Sequence, residues 1–254
     1  MSQGFRTDIQ ALRGLAVSLV LLYHAGFDFF GAGFLGVDVF FVISGFLITD
    51  MVRKEVEAGR FSFKTFYFRR AKRLLPAAYA TFLASAVVAP FALNAQELQD
   101  FIKQVWGAVT FSANLVLLMQ TGYFSGAADL KPLLHTWSLS IEEQYYLLLP
   151  AFLAFTPRRY WVPGGVLMFV ASLGMCLGLQ SFKPTATFYL LPTRGWELGV
   201  GSMIALMPGL MLRLQPVLAA LFWPAVAVLA VIPVFPTGLP HPGLDALLVC
   251  LATA

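Results

Sequence analysis

The stretch LLHTWSLSIEEQYYLLLP, residues 133–150, decides how the chain is read. Its leucines and aromatics suit the entry to a membrane-crossing helix, yet it carries His135 and two adjacent acids, Glu142 and Glu143. A charged side chain near the bilayer centre costs about 3 kcal/mol on insertion scales, so intramembrane charges are functional-site hypotheses by default.

The rest of the chain is as sparing with charge as this stretch. Of 254 residues, 59% are hydrophobic and only 12% charged, with a mean hydropathy of +0.76. Soluble domains carry roughly 25% charged residues, so this surface belongs in lipid. The net charge of +4 is small and dispersed. That argues against a nucleic-acid partner and, on a membrane protein, reports orientation instead. Cys176 and Cys250 both lie in apolar runs, which suggests neither a disulfide framework nor a zinc site. No metal is expected.

Hydrophobic runs near the ~20 residues a span needs fall at 9–26, 34–52, 74–93, 101–119, 136–155, 162–180, 188–207 and 216–235. A ninth begins near 244 and is still running at Ala254, so further spans of a longer protein are expected beyond it. Arg6 and Arg13 before the first run, with Gly31-Ala32-Gly33 after it, faintly resemble a signal peptide. Equally apolar runs follow, so the first is read as a span. The expectation is an all-α polytopic transmembrane bundle of eight to nine segments, one domain over residues 1–254, without internal repeats.

The longest polar segment, RKEVEAGRFSFKTFYFRRAKR at 53–73, holds nearly half of the Lys and Arg residues. The positive-inside rule places it, and with it the amino terminus, in the cytoplasm. Phe61, Phe63, Phe66, Tyr67 and Phe68 suit a short interfacial helix under the bilayer. The run 101–119 is a marginal span because of Gln104, Ser112 and Asn114. If it crosses, Glu142 and Arg194 fall in the inner half of the membrane, far from the histidine of span one. If it does not, they join that histidine in the outer half, where clustered opposite charges can satisfy one another. The second arrangement is preferred.

The intramembrane ionisable residues are His24, Asp38, Glu142, Glu143, Arg194 and Glu197, with Arg13 eleven positions before His24, about 16 Å along a helix. A histidine with carboxylates nearby is an arrangement for general-base catalysis. Glu142 and Glu143 point about 100° apart on a helix, so one is expected to face the histidine and the other to pair with Arg194. Arg194 and Glu197, three apart, also suit a local structural pair. Arg69, Arg70 and Arg73 place fork-shaped donors on about one turn, as phosphates require. The plainer readings are an interfacial histidine, a topogenic basic loop, and interfacial Asp28 and His135.

Read in order, FRTDIQALRGLAVSLVLLYHAG, GFLGVDVFFVISGFLIT, FYFRRAKRLLPA, LLHTWSLSIEEQYYLLLP and PTRGWELGVGS resemble the acyltransferase family 3 membrane proteins, over essentially the whole chain. The likeness is nearest to the branch often fused to an SGNH-type hydrolase-like domain on the outer side of the membrane. It implies a multi-pass protein of the bacterial inner membrane that moves an acyl group, usually acetyl, from cytoplasmic acyl-CoA to a hydroxyl of an exported carbohydrate. O-antigen, peptidoglycan and exopolysaccharide are all open as acceptors. No tightly bound cofactor is implied, since acetyl-CoA is a substrate. Carried over by position, His24 is the catalytic histidine, with Glu142 in the acidic motif near it. Arg13, Arg69, Arg70 and Arg73 belong to the donor side. Trp137, Ser138, Asp38, Glu143, Arg194 and Glu197 are supporting residues. Membrane lipid is the remaining partner. The main competing reading is a proton-coupled secondary transporter using the same His/Glu cluster; a structural membrane protein is the other.

Overall fold

A computed structural model describes residues 6–121 and 131–254, and its regular structure there is helical throughout. Helix α1 (Thr7–His24) ends directly after the histidine. Gly26 adopts φ 76°, and the Phe27 amide reaches back to the Leu22 carbonyl at 3.2 Å. This left-handed cap is cheap only without a Cβ. The chain then reverses through residues 28–35 into α2 (Gly36–Glu57).

Helix α3 (Phe63–Ala92) starts at Ser62, whose hydroxyl accepts from the Thr65 amide at 3.4 Å. The aromatic stretch 63–68 is its opening, so the expected separate interfacial helix is not formed. Thirty residues rise about 45 Å, enough to cross the ~30 Å core with its basic first turns left over.

The marginal fourth run folds as a hairpin of α4 (Ala95–Val109) and α5 (Ala113–Met119). Gln104 donates to the Gln120 side chain at 3.0 Å, and Gln120 to the Asp100 carbonyl at 2.9 Å, so the two arms lie side by side. The reversal is at residues 110–112, where Phe111 takes φ 53°. Of the polar residues that weakened this run as a span, Gln104 joins the two arms and Asn114 ties the hairpin to Gln144 and Tyr189.

The remaining helices are α6 (Thr136–Phe155), α7 (Trp161–Leu179), the short α8 (Pro184–Tyr189), α9 (Leu191–Leu206), α10 (Pro208–Val231) and α11 (Leu244–Thr253). Ser44 meets Glu142 near the starts of α2 and α6, and Arg158 donates to the Glu57 carbonyl near their ends. The two helices are therefore parallel. Helix α9 is parallel to α2 as well, because Asp38 meets Arg194 early and Thr49 meets Ser202 late.

Helices α2 and α9 cross at glycines. A Cβ on Gly45 would lie 1.9 Å from the Leu198 carbonyl oxygen, and one on Gly201 would lie 1.9 Å from that of Val42. Small residues at a membrane helix crossing permit this backbone approach. Helix α2 is the hub: 61% of its apolar window is buried, against 6% for α10, 11% for α7 and 17% for α3. The outer helices turn Leu83, Phe91, Leu167 and Leu212 outward, as a lipid-facing surface does.

By length and composition, four described helices can cross a membrane: Gly33–Glu57, Phe63–Ala92, Arg158–Leu179 and Pro208–Val231. This is fewer than the eight to nine expected. Helices α1, α6, α9 and α11 sit where spans were placed but are shorter or more polar. A helix surrounded by other helices can carry the polar residues that a lipid-facing one cannot.

Candidate functional site

Three polar groups are built on this frame. The first is His24 at the end of α1. Its Nδ1 lies 2.8 Å from the Val20 carbonyl oxygen one turn earlier. A carbonyl only accepts, so Nδ1 carries a proton, and in the neutral ring the lone pair is on Nε2. The ring is exposed and packs edge-on against Tyr23, with centroids 5.1 Å apart. The expectation that a carboxylate orients this ring is corrected, because the backbone holds it.

The second group lies deeper, at Glu142 and Glu143. Ser44 of α2 donates to Glu142 at 2.8 Å. Glu143 forms an ion pair with Arg70 of α3, with side chains only 14% and 21% exposed. The Arg70 guanidinium also sits 3.9 Å from the centre of the Tyr146 ring. Arg13, on α1, is half-buried. A cavity of about 330 Å³ adjoins Arg70 and Glu143, closed on one side by Thr110 and Phe111 at the hairpin tip. Gln144 holds that tip, donating to the Phe111 carbonyl at 2.9 Å and to Asn114 at 2.8 Å. Asn114 in turn donates to the Tyr189 carbonyl at 2.9 Å.

The third group surrounds Arg194, which is wholly buried with Asp38 and Glu197. Its Nη2 reaches Asp38 at 3.2 Å and Glu197 at 3.1 Å, and its Nη1 lies 3.1 Å from His241 Nε2. His241 Nδ1 contacts Asp245 at 3.0 Å. The arginine therefore donates to Nε2, and Nδ1–H donates to Asp245. Trp137 packs 5.4 Å from the guanidinium and 4.5 Å from Phe188. Arg194 does not pair with Glu142 or Glu143, against expectation. Its local pair with Glu197 does form.

The remaining sequence candidates are dispersed. Arg69 is 72% exposed with Glu55 at 3.8 Å, and Arg73 is exposed. Ser138 donates back to the His135 carbonyl at 3.3 Å, a bond within the first turn of its own helix. Three participants escaped the sequence reading: Ser44, His241 and Asp245. Ser44 is a lone hydroxyl in an apolar run, and His241, inside the proline-rich loop, stands four residues before Asp245. The four-residue spacing was the available signal for the second pair. Among the described residues no cluster of three His, Cys, Asp or Glu side chains suits a metal ion.

A helical bundle with buried ion pairs at its centre and a free imidazole nitrogen at one end belongs to the membrane proteins whose interior charges serve function. Within that class the chain belongs to the acyltransferase family, whose acyltransferase domain matches residues 6–252. It is 32% identical over 213 residues to the peptidoglycan O-acetyltransferase of Listeria monocytogenes, covering 80% of this chain and 34% of that protein. It is 35% identical over 207 residues to a candidate membrane-bound transacylase of Komagataeibacter xylinus, covering 80% and 52%. An uncharacterised protein of Haemophilus influenzae is 34% identical over 194 residues, covering 70% and 77%. The chain thus spans about a third to a half of the first two relatives. No solved structure matches it.

Proposed function

We propose that the protein is an integral membrane O-acyltransferase. It moves an acyl group, acetyl in the first instance, from cytoplasmic acyl-CoA to a hydroxyl of an exported cell-surface carbohydrate. The observation carrying this reading is the free Nε2 of His24 at the end of the bundle opposite the basic start of α3. The positive-inside rule puts the α3 start, Arg158 and the amino terminus in the cytoplasm. His24 then lies towards the outer face, where the acceptor arrives. The names of two relatives support the chemistry: one is an O-acetyltransferase of peptidoglycan and one a candidate transacylase. A bacterial inner membrane is the location this orientation fits.

In the reaction, His24 Nε2 removes the proton of the acceptor hydroxyl. The oxygen attacks the thioester carbonyl carbon, the carbon–sulfur bond breaks, and the thiolate leaves and takes the proton from the imidazolium. Glu142, held by Ser44, gives a fixed acceptor inside the bundle, and Arg13 belongs to the donor side by its position in the first motif. The basic turn of α3 supplies the electrostatic attraction for the donor's phosphates.

The full-length protein in vesicles, given acetyl-CoA on the cytoplasmic side and an oligosaccharide acceptor on the other, should release CoA and acetylate the acceptor. Proton movement without CoA release would favour the transporter reading instead. Release that ignores the acceptor would contradict transfer.

A further inference from the structure

Arg194 brings one positive charge to a place where two fully buried carboxylates meet its Nη2, Asp38 from α2 and Glu197 from α9. The two contacts are not alike. The one to Asp38, at 3.2 Å, is aligned as a hydrogen bond. The one to Glu197, at 3.1 Å, is close but not aligned, and neither Glu197 oxygen has a hydrogen-bond partner among the described residues. Asp38 Oδ2 is also without one. His241 does not make up the missing positive charge. Its Nε2 accepts from Arg194 and its Nδ1–H goes to Asp245, so the ring is neutral. Asp245 is served separately, by that N–H and by the Gly243 amide at 3.1 Å.

The surroundings offer no other relief. The rings of Phe41, Trp137 and Phe188 stand 5.5, 5.4 and 5.5 Å from the guanidinium, an apolar wall in place of water. The remaining titratable groups packed here are two buried thiols, Cys176 of α7 and Cys250 of α11. Cys176 donates to the Pro242 carbonyl at 3.0 Å and so keeps its hydrogen. An ionised carboxylate removed from water without hydrogen bonds is strongly disfavoured, and a buried acid in that position takes up a proton instead.

We propose that Asp38 and Glu197 form a proton-binding site that holds one proton for the two acids, carried by Glu197, so that Asp38 alone is ionised against Arg194. Glu197 directly precedes Leu198, whose carbonyl oxygen would lie 1.9 Å from a Cβ on Gly45. The proton therefore sits beside the closest approach of α2 and α9. Its release sets two like charges across that seam with one arginine to serve both. Packing of α2 against α9 thus depends on the bound proton, whatever group the bundle transfers.

Infrared spectra of the full-length protein in detergent test this directly. At neutral pH the wild type should show the carbonyl stretch of an un-ionised carboxylic acid, resistant to exchange in heavy water. A component of that band should vanish in Glu197→Gln and persist in Glu142→Gln, which separates it from the other buried acid. It should vanish in Asp38→Asn as well, because the remaining acid then ionises and takes over the arginine; this variant carries the test if Glu197→Gln does not accumulate. Melting temperature gives a second reading. The folded wild type holds a proton that the unfolded chain releases, so its melting temperature should fall relative to Glu197→Gln as pH rises from about 5 to about 9. A wild type without the band, a band unchanged in Glu197→Gln, or one that survives Asp38→Asn would overturn the shared proton. So would a melting-temperature difference that ignores pH. If sodium balances the charge instead, exchanging choline chloride for sodium chloride at equal ionic strength raises the melting temperature and no acid band is seen, which also overturns it.

Discussion

Glu142 and Glu143 are neighbours in sequence but bind different helices: Glu142 accepts from Ser44 of α2, and Glu143 pairs with Arg70 of α3. The double acid that stood out in the sequence is therefore a junction of three helices. If Glu142 works in the reaction, Glu142→Gln should abolish acetyl transfer while the protein stays folded. Ser44→Ala removes one hydrogen bond worth roughly 0.5–1.5 kcal/mol, so it should lower the rate only several-fold. Acceptor acetylation by each variant, compared with wild type, checks the order.

Arg194 serves two carboxylates and a histidine in a site without solvent exposure. Arg194→Met should destabilise the protein by roughly 3–5 kcal/mol, the cost of leaving buried charge unpaired. Replacing Asp38 by Asn and Glu197 by Gln in the same chain should recover part of the loss. Thermal unfolding in detergent reads both.

The crossing of α2 and α9 leaves no room for a side chain at Gly201. Gly201→Val should force the helices apart and cost at least the roughly 1–3 kcal/mol typical of overpacking. The expected result is a lower melting temperature and poor recovery from the membrane. Gly174, where an added Cβ would meet nothing within 4 Å, should accept alanine without loss.

His135 stands just before α6. Partial desolvation at this exposed position, and then the neighbouring His24, lower its imidazole from the ordinary histidine value. The unfolded chain then binds the proton more readily than the folded one. Stability from this group is present above the unfolded value and declines as pH falls through it. His135→Asn should flatten that decline in melting temperature between about pH 7 and 5.

The helical fold was legible because lipid imposes its own composition, and the runs at 136–155 and 162–180 mark α6 and α7 closely. The hairpin at 95–119 was visible only as a weakness, in Gln104, Ser112 and Asn114, since Gln104 finds Gln120 only once the chain reverses and Asn114 finds Gln144 and Tyr189 only by packing. Charge pairing was misjudged for the same reason. Residues 143 and 70, or 194 and 241, are joined by packing angles that spacing along the chain does not encode. The local pair Arg194–Glu197 was readable because helical geometry alone brings it together.

The most direct test of the account is acetyl transfer by full-length protein carrying His24→Ala. Because the ring is exposed and bonded only to its own helix, removing it should leave membrane abundance and melting temperature unchanged. Loss of a general base should slow transfer by about a hundredfold or more. Transfer within a few-fold of wild type would contradict the assignment of His24 as the base.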